Sequence, residues 1–177
     1  MDIGGSAMNA VLAAWNAMGK DEAAAAVLPC CGSQIWAELM ADARPVADEN
    51  QLLWRADVIW QELDAKDWME AFATHPRIGE RNAPVETTSQ SATWSATEQS
   101  SVAREDAAVL AALADGNKRY EERFGRTYIV CATGKTAREM MEILERRLTN
   151  DDATELREAA EQQRQITALR LKRWLKG

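Results

Sequence analysis

The chain has 177 residues, 46% hydrophobic and 28% charged, with a net charge of −7. That is enough for a single domain with its own core, since a chain of this size buries roughly 70% of its unfolded surface. The acidic balance excludes nucleic acid as a main partner, because binding it needs a basic stripe, and no apolar run approaches the roughly 20 residues that cross a bilayer.

Read in chain order, helix signals dominate. Two short helices are expected in "AMNAVLAAWNAM" and "DEAAAAVL". "SQIWAELMADAR" places Ile35, Trp36, Leu39, Met40 and Ala43 on one face, and Pro45 stops it. "DENQLLWRADVIWQEL" opens with Asp48 and Gln51 spaced as in a capping box, and Leu52, Leu53, Ala56, Trp60 and Leu63 form its apolar stripe. "DAKDWMEAFATHP" turns Trp68 and Phe72 inward and ends at Pro76. Residues 80–94 are rich in Ser and Thr and read as a loop, long enough to be functional. One long helix is expected from Ser95 to Gly125, with Ser95 and Glu98 as its capping box. Val102, Val109, Leu113, Tyr120 and Phe124 keep its period, Asp106 is the polar exception on that stripe, and Gly116 is a possible kink. "TYIVCA" (127–132) reads as extended. With no second strand to pair with, its main chain must bond side chains and helix ends or face a pocket. Two more helices close the chain, each with a predicted capping box, Thr136 with Glu139 and Asp152 with Glu155. The sum is an all-α, single-domain bundle of about eight helices over 1–177, with 1–7 read as a cloning remnant ahead of Met8.

Three cysteines without a CxxC, and one histidine, do not make a zinc site. Buried reduced thiols in an intracellular protein are the expectation, with no metal. No signal-peptide pattern opens the chain and its last residues are no peroxisomal address, so the cytoplasm is the expected compartment.

Three residues stand out for chemistry. His75 is the one histidine of the chain, and Pro76 fixes the backbone after it. An imidazole titrates near neutrality and suits acid–base work, but a histidine at a helix end also pairs with the helix dipole. Glu98 either serves the predicted cap alone, or belongs with Ser95, Ala96, Thr97 and Gln99 to a polar helix start that could hold an anionic or carbonyl group. Arg170 falls in the apolar series Leu156, Ala159, Gln163, Ile166, Arg170, Trp174 of the last helix, while Arg164, Lys172 and Arg173 fall toward solvent. A guanidinium there needs a buried anion: an acidic side chain such as Asp106, or a substrate carboxylate. The seven tryptophans fall mostly on apolar faces and read as core, with Trp94 beside Ser95 the exception.

The ordered series "WAELMADARP", "DWMEAFATHPRIGE", "SATEQ", "RFGRTYIVCATGK" and "LRL" resembles the 2-oxo-4-hydroxy-4-carboxy-5-ureidoimidazoline (OHCU) decarboxylases over nearly the whole chain, with His-Pro-x-Ile-Gly its most specific part. The resemblance implies an all-α, cofactor-free enzyme, commonly a homodimer, that converts a small-molecule substrate, OHCU, to (S)-allantoin. It implies His75 as the catalytic histidine, with Glu98 and Arg170 as further catalytic residues and Arg147 as a weaker candidate for the arginine. It implies substrate contacts from Pro76, from Ser95, Ala96, Thr97, Glu98 and Gln99, and from the main chain of Tyr128, Ile129, Val130, Cys131 and Ala132. A non-catalytic helical ureide-binding or scaffold protein is the competing expectation.

Overall fold

The computed structural model describes residues 9–80, 84, 87–105 and 107–177. Among them lie nine α-helices and no strand. They are α1 (Ala10–Ala17), α2 (Lys20–Cys31), α3 (Gln34–Asp42), α4 (Glu49–Glu62), α5 (Ala65–Ala73), α6 (Ser89–Glu98), α7 (Ala107–Phe124), α8 (Ala137–Arg147) and α9 (Asp152–Trp174).

The start of α1 is tied to the end of α9. Asn9 caps that helix through Oδ1 and donates from Nδ2 to the Leu175 carbonyl at 2.8 Å. The 23-residue α9, about 34 Å long, is the axis on which α2, α4 and α5 pack. Around it lies one core holding Trp15, Trp36, Trp60 and Phe72. A second core fills the space between α7 and α8 with Leu113, Tyr120, Phe124, Met140 and Leu144. Each of these large side chains contributes about 1.5–3 kcal/mol by leaving water.

Segment 127–132 runs between the two cores. It is extended, so its side chains alternate: Ile129 and Cys131 enter the α9 core, while Tyr128, Val130 and Ala132 enter the α7–α8 core. Side chains take the place of a neighbouring strand. Cys131 N donates to Gln162 Oε1 at 2.9 Å, the Cys131 carbonyl accepts from Lys135 Nζ at 2.8 Å, and the Ile129 carbonyl accepts from Arg147 Nη1 at 2.6 Å. Arg147 also ion-pairs with Glu155, and both are fully buried. Tyr120 Oη donates to the same carboxylate, and so does Asn150 Nδ2, at 2.9 Å. That network gives Arg147 a structural post inside the second core.

Several local expectations change. The helix foreseen from Ser95 to Gly125 is two helices with a 3-10 turn at Val102–Arg104 between them, so Ser95 and Glu98 are no capping box but the last turn of α6. That helix begins inside the Ser/Thr-rich stretch read as a loop, because the Thr88 hydroxyl accepts from Ser91 N and because Ser91, Trp94 and Ser95 are buried. Packing outweighs the weak helix propensity of serine and threonine here. Helix α7 runs through Gly116 unbroken, and a Cβ at that position would meet Leu144 Cδ1 and Cδ2 at 3.2 Å. Gly116 therefore sets the close approach of α7 and α8. Asp151, not Asp152, caps α9 through Thr154 N, and Glu155 goes to Arg147 instead. The Thr136–Glu139 capping box forms in full. Gln51 reaches back to Ala47 N, one residue beyond a box with Asp48. On α3 the buried face is Trp36, Ala37, Met40 and Ala41, leaving Ile35 and Leu39 each 42% exposed. The small alanines let the helix approach its neighbours closely. Trp54 is 60% exposed, an exception among the tryptophans.

Candidate active site

His75 follows α5 directly: Thr74 closes the helix and His75 N donates to the Phe72 carbonyl at 3.2 Å. Pro76 then turns the chain into Ile78 and Gly79. Gly79 has φ +90°, a left-handed backbone that side-chain-bearing residues rarely adopt. Its N–H donates to Gln99 Oε1 at 3.0 Å, and the Ile78 carbonyl accepts from Asn117 Nδ2 at 2.8 Å. The Ile78–Gly79 peptide of the His-Pro-x-Ile-Gly element thus anchors the histidine turn to the end of α6 and to α7.

The imidazole is buried. Its Nε2 lies 2.7 Å from Gln163 Oε1 on α9. Burial, and then the nearby Arg170 cation, push its pKa from 6.5 down to about 3, against the opposing pull of the Gln163 hydrogen bond. His75 is therefore neutral at physiological pH.

Glu98 is held by arginines. Arg170 Nε and Nη2 grip its two oxygens, each at 2.9 Å, and Arg173 Nη1 lies 3.5 Å from Oε1. Being at the C-terminal end of α6, this carboxylate meets the negative pole of the helix, so the cations are what make the position tenable. The helix-start anion site expected at 95–99 is absent for the same reason. Arg170 is fully buried, and its remaining donors go to the Pro29 carbonyl, Ser91 Oγ and Ser95 Oγ. All five guanidinium N–H groups are engaged. Arg170 thus stands behind Glu98 and holds it, with no donor left for a substrate carboxylate. Asp106, the partner foreseen for it, lies outside the described residues.

One narrow cleft brings together His75, Pro76, Ser95, Glu98 and Gln99 with Tyr128, Ile129, Val130 and Ala132. It has about 20 Å³ of free space, room for about one water molecule. Pro76 also borders two larger hollows, one of about 570 Å³ with His75, Arg77, Glu121 and Arg126, the other of about 330 Å³ with Gly79, Ser95, Ala96 and Gln99. Of the expected contact residues, three sit apart from the cleft. Ala96 is on the last-named hollow, Thr97 is exposed with its hydroxyl on the Thr93 carbonyl, and the Cys131 main chain is taken by Gln162 and Lys135. The sequence alone does not point to Gln163, Ser91 or Arg173 at this site, although Gln163 carries a usable signal, being a polar residue on the same apolar stripe as Arg170.

Among the described residues, no group of three or more His, Cys, Asp or Glu side chains gathers as a metal site, and no helix is long and apolar enough to cross a membrane.

A family model described as OHCU decarboxylase matches residues 16–172. The chain belongs to that family. It is similar to the uric acid degradation bifunctional protein TTL of Arabidopsis thaliana, 36% identical over 143 residues, which are 80% of this chain and 44% of that protein. The chain therefore spans less than half the length of this relative. A crystal structure of OHCU decarboxylase in the presence of (S)-allantoin matches with a TM-score of 0.74 and 34% identity, over 90% of this chain and 100% of that one. A crystal structure of (S)-allantoin synthase shares the fold, with a TM-score of 0.69 at 18% identity over 92% of this chain and 53% of that one.

Proposed function

We propose that this chain decarboxylates OHCU to (S)-allantoin, the last step from urate to allantoin, without a cofactor. What supports the reading most is one juxtaposition in a member of this family: a neutral imidazole and an arginine-held carboxylate line the same cleft as an extended main-chain segment.

The reaction suits such a cleft. The C4–carboxylate bond breaks and CO₂ leaves. Its electron pair forms a C4=C5 double bond, while the C5=N pair moves onto nitrogen and into the adjoining carbonyl. The substrate is its own electron sink, so the protein's work is to orient it and stabilise shifting charge. The nitrogen takes up a proton from solvent water. The resulting enol then loses its C4 hydroxyl proton and gains one at C5, leaving the C4 carbonyl of allantoin. Neutral His75 accepts the hydroxyl proton and returns a proton to C5 from one side, which accounts for a single enantiomer. Glu98 keeps a lone pair on each oxygen beyond its arginine bonds and receives ring N–H or hydroxyl groups. Main-chain groups of 128–130 and 132 meet the ureido and lactam edges. A ring substrate needs more room than one water, so this reading requires the cleft to open toward a hollow beside Pro76 on binding.

The reading includes a cytoplasmic homodimer. The three buried free thiols support a reducing compartment, and the exposed Ile35, Leu39 and Trp54 on α3 and α4 support an apolar interface. The decisive assay generates OHCU from urate with an oxidase and a hydrolase, adds this protein, and follows allantoin by circular dichroism. Rapid appearance of one enantiomer is expected, and a rate equal to spontaneous decay overturns the proposal. His75→Asn should keep the fold and lower turnover roughly 10²–10⁴-fold.

A further inference from the structure

The contacts of Gln163 decide which nitrogen of His75 can exchange a proton. Gln163 is fully buried in the middle of α9. Its Nε2 donates to the Cys31 carbonyl of α2 at 3.3 Å and to Thr167 Oγ1 at 3.2 Å. Turning the amide over would press its oxygen against the Cys31 carbonyl, two acceptors facing each other. The amide is therefore fixed with Oε1 toward the imidazole, 2.7 Å from His75 Nε2. An oxygen there can only accept, so Nε2 must carry the hydrogen. A neutral imidazole has one N–H, which leaves Nδ1 bare. Among the described residues Nδ1 has no hydrogen-bond partner, while the ring lines the cleft.

We propose that Gln163 is a positioning residue that fixes His75 as the Nε2–H tautomer and leaves Nδ1 to exchange protons with substrate. This rests on the reading of His75 as the acid–base group of the decarboxylation. Gln163 works the same way on both sides of the proton transfer. Its oxygen accepts from Nε2–H in the neutral ring and in the imidazolium formed when Nδ1 takes a proton. The ring therefore need not rotate between the two states, and Pro76 limits how far its backbone can move. On the cleft side the charged groups are Arg170 and Arg173 from α9 and Glu98 from α6, paired with one another, and on the other side of the ring Arg77, Glu80, Glu121 and Arg126 line the larger hollow. The neighbouring groups of α2, the Cys31 carbonyl and thiol, are neutral, the thiol being pushed up to about 12 by burial.

The chain holds a single histidine, so ring-nitrogen NMR of protein labelled with ¹⁵N-histidine reads His75 directly. In the ligand-free wild type, Nε2 should show the signal of a protonated ring nitrogen and Nδ1 that of a bare one, unchanged between pH 8 and 6. A hydrogen on Nδ1, or rapid averaging of the two nitrogens, overturns the proposal. In Gln163→Met the lock is gone. The two signals should move toward each other, and kcat should fall at least roughly 10–100-fold, the scale for losing the partner that orients a metal-ligating histidine, with KM little changed. A variant that keeps both the wild-type signals and the wild-type kcat also overturns it. If Gln163→Met fails to fold, the wild-type spectrum still decides. That spectrum needs no turnover, so a wild type without decarboxylase activity refutes the proposed function while leaving the tautomer separately tested.

Discussion

Lowering the pH from 7 to 5 perturbs one buried group in this molecule with special clarity. His75 has a folded pKa of about 3 against 6.5 unfolded. In this window the unfolded chain takes up a proton that the folded chain refuses, so stability must fall with pH. The contribution is fully present above 6.5 and is lost as pH drops toward 3. At pH 7 about a quarter of unfolded chains carry the proton and at pH 5 nearly all do, while the folded ring stays neutral. Integrating over that range gives a loss of about 2 kcal/mol, rising to about 3 kcal/mol by pH 4. Against a usual total of roughly 5–15 kcal/mol, that is readily measured. The assay is urea unfolding followed by far-ultraviolet circular dichroism at pH 7, 6 and 5, for wild type and His75→Asn. The asparagine has no proton to gain, and carboxylates titrate in both proteins and cancel. The stability difference between the two proteins should shift by about 2 kcal/mol across the range, to the detriment of wild type. Parallel curves would refute a neutral, desolvated His75.

Other perturbations separate the roles of the buried charges. Arg170→Met should cost about 3–5 kcal/mol in thermal or urea unfolding, because Glu98 loses its two-pronged partner and two serine hydroxyls lose their donor; unchanged stability with abolished turnover would instead mean that Arg170 serves the substrate. Arg147→Met alone should be as damaging, while Arg147→Met combined with Glu155→Leu should recover most of the loss, as a double-mutant unfolding cycle will read. Gly79→Ala should cost about 1–2 kcal/mol through its left-handed backbone, since the new Cβ would make ordinary contacts with Val102, Leu110 and Leu113 at 3.8–4.0 Å. Denaturant melts measure that cost.

The parts of this fold that a sequence shows well are those decided locally. Pro76 ends the α5 pattern, Gly125 ends α7, and the Thr136–Glu139 box opens α8 as its spacing demands. Helix α6 was hidden because nothing local makes "SQSATWSATE" a good helix. It holds through Thr88, buried Trp94 and the serine hydroxyls that receive Arg170, which are contacts between segments far apart in the chain. The consequence reaches the site: the spacing of Ser95 and Glu98 reads as a helix start, whereas Glu98 ends α6 as a carboxylate gripped from α9. His75 and Arg170 were legible as oddities, a lone imidazole before a proline and a charge on an apolar stripe. Arg173 counted as a solvent-facing residue, yet its guanidinium reaches Glu98 while remaining 34% exposed.

The extended segment 127–132 is a party wall. Alternate side chains anchor it in separate interiors, and its carbonyl and amide groups are pinned from Arg147, Lys135 and Gln162 rather than by a sister strand. A repacking on either side therefore displaces the wall of the cleft, and under the proposed function tolerance to mutation in both interiors would be limited by the reaction as well as by folding.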